Sequence, residues 1–154
     1  TAFYTLSLHD ALPILMSAHP STLYSETVLA HNRAPRNCGC LADATHHGLA
    51  ENALCGDRLE LALRVKGDAI EAAMFDGESC AITTACASML TEALRGAPLA
   101  ASASLLEALA TMFRGGADAP GEFAAFAELR HHPARQRCAL LPFDAVATAL
   151  KPKA

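Results

Sequence analysis

The sequence lacks tryptophan, contains few aromatic residues and has no long apolar run. Aromatic residues make up 5% of its 154 positions, and no apolar stretch approaches the roughly 20 residues that a membrane-spanning helix needs. The net charge is −4, and the basic residues form no cluster of the kind that binds nucleic acid. We therefore expect neither a membrane nor a nucleic acid as a partner.

Standard cysteine motifs are also missing. The chain has 6 cysteines, which are too sparse for the disulfide framework of a small secreted domain. There is no CxxC pair, and the absence of H-x-E with P-C-x-x-C excludes a zinc deaminase. The cysteines are better interpreted as reduced thiols of a cytoplasmic protein, some of them reactive or bound to metal. The chain length predicts one domain with a substantial core.

The first fifteen residues differ from the rest of the chain. Their sequence, TAFYTLSLHDALPIL, lacks the positively charged start and the small-residue cleavage site of a signal peptide. It resembles the translation of a sequencing adapter joined to a gene, and a native disordered extension is the alternative. We expect residues 1–15 to be a non-native or disordered leader, with a natural start at Met16 and one domain over residues 16–154.

The clearest local pattern is a β-hairpin around Gly67-Asp68. Residues 59–65 alternate between apolar and mostly polar side chains, which is the period of a half-buried strand. A two-residue loop with glycine first is typical of a type II′ turn. An uninterrupted register places Arg64 opposite Glu71, a favourable charge pair, and Asp57 opposite Glu78. In that register the apolar face carries Leu61, Leu63, Val65, Ile70, Ala72 and Met74.

Helical periodicity begins after Cys80. Apolar residues recur at i, i+3, i+4 and i+7, which predicts an amphipathic helix that ends near Gly96, with Cys86 as a core residue. Further helices are expected over residues 22–32, 98–114, 122–129 and 139–150, and a short strand within residues 41–49. Cys38, Cys40 and the pairs His46-His47 and His131-His132 are expected in exposed turns or loops. This element order predicts an α+β fold.

Four residues with metal-binding side chains fall at the ends of these elements. Cys55 and Asp57 lie where the hairpin begins, and Cys80 lies at a helix N-terminus, where free N–H groups favour a thiolate. Cys138 would lie at or just before the N-terminus of the last helix, with Pro142 in its first turn. Three thiolates and a carboxylate would suit Zn²⁺ or an iron–sulfur cluster. Their spacing matches no standard zinc motif, so separate structural roles, such as a turn-capping Asp57, stay open.

Four segments carry a family resemblance. In order along the chain they are LYSETVLAHNRAPRN, CGDRLELALRV, DGESCAITTACASMLTEAL and PARQRCALLPFDAV. They resemble the blocks of the NifU N-terminal, IscU-like family of iron–sulfur cluster assembly proteins over about residues 23–150. The resemblance implies a small antiparallel three-stranded sheet with helices packed on one side. Arg137 in place of a histidine before the last cysteine, and the long segment 96–132, resemble the SufU branch of that family.

The SufU resemblance implies a zinc-dependent sulfurtransferase that acts in a sulfur relay rather than as a stand-alone enzyme. It implies Zn²⁺ held by Cys55, Asp57, Cys80 and Cys138, with Cys55 accepting persulfide sulfur from a SufS-like cysteine desulfurase. Arg135 corresponds to the arginine of that branch, and a SufBCD-like scaffold complex is implied downstream. The alternatives are an IscU-type scaffold that assembles a [2Fe–2S] cluster on the same residues and a small zinc-stabilised module without transfer chemistry.

Removal of residues 1–15 should leave the midpoint temperature of thermal unfolding nearly unchanged, because a leader outside the domain adds little to the core. Differential scanning calorimetry of the full chain and of a chain that begins at Met16 makes the comparison. A decrease of more than several degrees would instead identify the leader as native structure.

Overall fold

The computed structural model describes residues 23–152, so the predicted leader lies outside the described residues. The elements are α1 (Glu26–Arg33), β1 (His46–Asn52), β2 (Asp57–Lys66), β3 (Ala69–Glu78), α2 (Ala81–Leu94), α3 (Ala101–Phe113), a 3₁₀ segment (Gly121–His131) and α4 (Pro133–Ala149). The strands form an antiparallel sheet in the order β1-β2-β3. The predicted α+β fold with a three-stranded sheet is confirmed. No helix within this range is long and apolar enough to cross a membrane.

The β2–β3 hairpin forms, but the predicted register is wrong beyond its first pairs. Val65 faces Ile70 as predicted, whereas a bulge between Arg64 and Val65 places Arg64 opposite Ala72. Glu71 is the extra residue on β3, and its carboxylate still lies 3.0 Å from the Arg64 Nε. The charge pair therefore forms without the backbone pairing that was expected to accompany it.

The bulge reverses the faces of β3 beyond Glu71, because one extra residue moves every later side chain to the other side of the sheet. Ala73 and Phe75 are buried, whereas Ala72 and Met74 were expected in the core and are only half-buried. The shift reaches the far end of the hairpin, where Arg58 and not Asp57 faces Glu78.

Helix α2 confirms the prediction from periodicity. Cys80 is its N-cap residue. Gly96, two residues after the last helical residue, adopts a left-handed conformation with φ 75°. Its apolar side packs in the core, and Cys86 is fully buried as expected. The Cys86 thiol donates to the Ala139 carbonyl of α4 at 3.0 Å. Helices α2 and α4 are therefore linked by polar contacts as well as by apolar packing.

Helix α3 begins later than predicted, at Ala101 rather than at Pro98. Pro98 forms an isolated antiparallel bridge with Ala69, and the backbone N–H of Leu99 donates to the Asp68 carbonyl at 3.0 Å. These contacts hold the segment against the hairpin turn, and the chain turns through Leu99 and Ala100 before the helix begins. The predicted helix over 122–129 is a 3₁₀ segment instead.

Other element boundaries differ by a few residues. Helix α1 begins at Glu26 because Ser25 caps it, with its hydroxyl accepting from the Val28 N–H. The strand expected within 41–49 begins later and extends to Asn52, so His46 and His47 lie in β1 rather than in a loop. Residue 22, where α1 was expected to begin, lies outside the described part of the chain.

Helix α4 begins five residues before Cys138, so the prediction that Cys138 lies at or before its N-terminus is wrong. Pro133 occupies the first turn, where its missing N–H costs nothing, and Pro142 lies inside the helix rather than in its first turn. An interior proline has no N–H to donate to the carbonyl four residues earlier, which is that of Cys138. The Thr83 hydroxyl lies 3.0 Å from this oxygen and is within reach to donate to it.

Helix α4 lies directly against β1 at Gly48. A Cβ atom on Gly48 would meet the Ala145 carbonyl oxygen and would lie 2.6 Å from the Ala149 nitrogen. The close approach therefore requires glycine at this position. The contact determines the distance between α4 and the sheet at Gly48.

Gly48→Ala should lower the free energy of unfolding by about 1–3 kcal/mol or more, because the methyl group has no space and backbone must move. Urea unfolding followed by circular dichroism measures the change. His47→Ala is the matched control, because His47 is the exposed neighbour in the same strand. Equal stability of the Gly48→Ala protein and the parent would show that α4 can move away from β1 freely.

Candidate metal centre

Three parts of the fold meet at one end of the sheet. Cys55 lies in the turn between β1 and β2, Asp57 is the first residue of β2, and Cys80 precedes α2. Cys138 lies in the second turn of α4. Asp57 and Cys138 are buried, Cys80 is half-buried, and Cys55 is exposed. One exposed thiol therefore lies above a buried thiol and carboxylate.

Cys55, Asp57 and Cys138 form the tightest grouping. The Cys55 Sγ lies 3.2 Å from Asp57 Oδ2 and 3.8 Å from Cys138 Sγ. Ligand atoms of the three residues all lie within 4.8 Å of one another, close enough to hold one metal ion. Two soft sulfur donors with a carboxylate oxygen suit zinc.

Cys80 borders this grouping but is not part of it. Its backbone N–H donates to Asp57 Oδ1 at 3.0 Å, and its Sγ lies 3.4 Å from the Thr83 hydroxyl. The structure thus brings three of the four predicted ligands together and places the fourth beside them. The set of four stays a prediction.

The Asp57 carboxylate has partners at both oxygens. Oδ1 accepts from the Cys80 N–H, and Oδ2 accepts from the Thr83 hydroxyl at 2.8 Å as well as from the Cys55 thiol. Asp57 therefore caps α2 from outside the helix, where a negative charge is stabilised by the free N–H groups and the helix dipole. Sequence reasoning considered a turn-capping role for Asp57 but not this long-range one.

Thr83 is the residue of the site that sequence reasoning missed. It is completely buried in the first turn of α2, and its hydroxyl contacts Asp57 and the Cys138 carbonyl. A polar residue among the buried positions of an apolar helix, three residues after Cys80, was the available signal. The apolar periodicity of the helix does not indicate which groups the Thr83 hydroxyl contacts.

The electrostatics favour a neutral Cys138 thiol in the metal-free protein. Burial, and then the neighbouring Cys80 and Cys55 thiols, raise the pKa of Cys138 to about 12. Metal binding at this thiol must therefore displace a proton.

Arg135 lies in the first turn of α4 with an exposed side chain. Its pKa is raised, first by Tyr24 and then by a hydrogen bond to Cys138 and the nearby Cys80 thiol. The positively charged Arg135 side chain therefore lies near the Cys138 and Cys80 thiols.

The remaining cysteines and the histidine pairs lie apart from this grouping. Cys38 and Cys40 are exposed, as expected, and the 38–39 backbone pairs with Phe75 of β3. His131 and His132 are exposed at the junction of the 3₁₀ segment and α4. Over residues 23–152, Cys55, Asp57 and Cys138 form the one grouping of three donors that fits a metal ion.

Comparison with known proteins identifies related chains of similar length. The zinc-dependent sulfurtransferase SufU of Bacillus subtilis is 34% identical over 134 residues, which cover 84% of this chain and 90% of the relative. The iron–sulfur cluster assembly scaffold protein IscU of Thermotoga maritima is 31% identical over 132 residues, which cover 84% of this chain and 93% of the relative.

Solved structures share the fold. A putative iron–sulfur cluster assembly scaffold protein for the SUF system from Fervidobacterium islandicum has a TM-score of 0.79 at 25% identity, covering 86% of this chain and 100% of that one. A NifU-like N-terminal protein from Brucella abortus has a TM-score of 0.78 at 24% identity, covering 84% of this chain and 93% of that one. The NifU-like N terminal domain family itself matches residues 23–151. The resemblance noted in the sequence motifs is thereby confirmed, and this chain belongs to the NifU-like N-terminal domain family.

Proposed function

We propose that this chain is an iron–sulfur cluster assembly protein of the SufU type, which accepts persulfide sulfur on Cys55 from a SufS-like cysteine desulfurase. One observation carries the proposal: the exposed Cys55 thiol lies 3.2 Å from the Asp57 carboxylate and 3.8 Å from the buried Cys138 thiol. The 34% identity to a protein named as a zinc-dependent sulfurtransferase supports it.

The donor set fits a resident zinc ion. Cys55, Asp57, Cys80 and Cys138 would hold it, because thiolates and a carboxylate are ligands that zinc takes in proteins. A bound zinc ion would keep the coordinating thiols deprotonated at neutral pH. Asp57 is the harder and more exchangeable donor of the four, so we infer that it is the ligand that a partner's side chain replaces.

Sulfur transfer itself is assigned to Cys55. Its thiolate attacks the outer sulfur of the desulfurase persulfide, a new S–S bond forms on Cys55, and the S–S bond of the desulfurase breaks. The desulfurase cysteine leaves as a thiolate, so the exchange is balanced and needs no oxidant. Cys55 suits this role because it lies in a short exposed turn, whereas Cys138 is buried within a helix.

Arg135 is assigned to partner recognition. Its exposed guanidinium lies beside the thiols, and its planar set of donors suits a carboxylate of the desulfurase. A SufBCD-like scaffold complex would be the acceptor further along the relay.

Assembly of a [2Fe–2S] cluster on the same residues is the second candidate function. The thiolates that suit zinc also suit iron–sulfur clusters, and the Thermotoga maritima relative is named as a scaffold. In that case the cluster is the cargo that is built and delivered.

The purified protein should be colourless and contain about one zinc ion per chain, as a site with four protein ligands requires. Cys138→Ser should lower the zinc content at least several-fold, whereas Cys86→Ser, the other buried cysteine of the described chain, should retain it. Elemental analysis and an absorption spectrum are the measurements. A brown protein with iron, labile sulfide and little zinc would favour the scaffold function instead.

Cys55→Ser should abolish the stimulation of a SufS-like desulfurase, because serine forms no persulfide. Sulfide release under reducing conditions is measured with and without this protein, and mass spectrometry locates an adduct of about 32 Da, the mass of one sulfur atom. Cys40→Ser, a second exposed cysteine, is the control and should stimulate like the parent.

Two further variants separate the roles of the neighbouring residues. Asp57→Ala should change zinc affinity and the reactivity of Cys55, while Arg135→Ala should weaken docking of the desulfurase. Full stimulation by Cys55→Ser, or an adduct found only on Cys38 or Cys40, would contradict the assignment.

A further inference from the structure

The Thr83 hydroxyl contacts three of the four residues proposed as ligands. It is 2.8 Å from Asp57 Oδ2, 3.0 Å from the Cys138 carbonyl oxygen and 3.4 Å from Cys80 Sγ. The side chain is completely buried, so water does not substitute for any of these contacts. One side chain therefore connects β2, α2 and α4 at the site.

A count of donors shows that these contacts compete. A threonine hydroxyl has one hydrogen to donate, whereas both Asp57 Oδ2 and the Cys138 carbonyl accept. The Cys138 carbonyl is available because Pro142, four residues later, has no N–H. The hydroxyl therefore has two alternative acceptors within reach, and it stays hydrogen-bonded whichever one it uses.

The Asp57 carboxylate is oriented at two points. The Cys80 N–H fixes Oδ1, and the Thr83 hydroxyl fixes Oδ2, the oxygen that lies 3.2 Å from the Cys55 thiol. Without the hydroxyl, rotation of the carboxylate about the Oδ1 contact would be less restricted. Partners of this kind, which orient a ligand without touching the metal, commonly affect metal affinity strongly.

We propose that Thr83 is a positioning residue for Asp57, which holds Oδ2 toward the Cys55 and Cys138 thiols and keeps the Cys138 carbonyl as its alternative acceptor. The Thr83 hydroxyl itself stays hydrogen-bonded when it donates to that carbonyl, but Asp57 Oδ2 then loses the contact that orients it. This inference rests on the proposed zinc site and names a residue that controls it.

The first test is zinc affinity, measured by competition with a chromogenic chelator. Thr83→Val keeps the side-chain shape and removes the hydroxyl, and it should weaken zinc binding by about tenfold, in the range found for residues that orient a ligand. Thr83→Ser keeps the hydroxyl and should bind zinc within about twofold of the parent, since the contact to Asp57 persists. Thr83→Ala, which removes the hydroxyl without added bulk, serves if the valine protein does not fold.

Thr91→Val is the matched control within the same helix. Thr91 is equally buried, and its hydroxyl donates to the Ala87 carbonyl at 2.8 Å, within α2. This variant should change stability but not zinc affinity.

A double-mutant cycle shows whether Thr83 acts through Asp57. If it does, Thr83→Val should have little additional effect on zinc affinity in an Asp57→Ala protein, because effects through a shared partner are not additive. Co²⁺ added in place of zinc should give visible spectra that change in the same direction for Thr83→Val and Asp57→Ala. A purely structural threonine would give additive effects and an unchanged Co²⁺ spectrum.

Pro142→Ala distinguishes the effect of the Thr83 hydroxyl on the Cys138 carbonyl from its effect on Asp57. It supplies an N–H for the Cys138 carbonyl, so combined with Thr83→Val it should restore thermal stability of the metal-free protein while zinc affinity stays low.

The outcomes distinguish this inference from the proposed function. If the parent binds zinc and the Thr83→Val protein binds it equally tightly, the positioning role is wrong while the zinc site stands. If the parent binds no zinc, both are wrong.

Discussion

The buried carboxylate of Asp57 is the interaction on which the arrangement of this site depends. It lies at the first residue of β2 and accepts the N–H of Cys80 and the hydroxyl of Thr83, both at the start of α2. A buried carboxylate is costly unless its lone pairs are satisfied, and here one N–H and one hydroxyl at the start of a helix provide that compensation. The same contact that stabilises the fold therefore fixes the separation between the strand and helix that carry the candidate ligands.

The sequence predicted the turn and the strands of the β2–β3 hairpin, but not the register in which the two strands pair. Gly67-Asp68 identified the turn, and the alternation in β2 identified its buried face correctly. The bulge escaped notice because the Arg64–Glu71 ion pair forms in either register. On β3, residues 72–75 are Ala-Ala-Met-Phe, so both faces offer apolar side chains and the pattern does not distinguish them.

The start of α4 shows a different limit. Pro142 was assumed to mark the first turn, because an interior proline leaves a carbonyl without a donor. In the structure Thr83, fifty-nine residues before Pro142 in the chain, places a hydroxyl donor within 3.0 Å of that carbonyl. Such compensation depends on tertiary contact and has no signature in local sequence.

The candidate site was predictable from sequence only in part, through turn geometry and the family motifs. The family motifs pointed to Cys55, Asp57, Cys80 and Cys138, and the first, second and fourth of these converge within 4.8 Å. Thr83 was not predicted, since a buried threonine in an apolar helix resembles ordinary core packing until its partners are seen.

The contact at Gly48 has a consequence for how the site can move. No side chain separates the backbones of β1 and α4 there, so closer approach of α4 to the sheet at this point is blocked by backbone atoms. Cys138 is therefore held in place by main-chain geometry, and Asp57 by the helix start that it caps. The turn that carries Cys55, residues 53–56, lies outside both of these contacts and is exposed, so a partner that reaches this thiol approaches a four-residue turn rather than a helix or a strand.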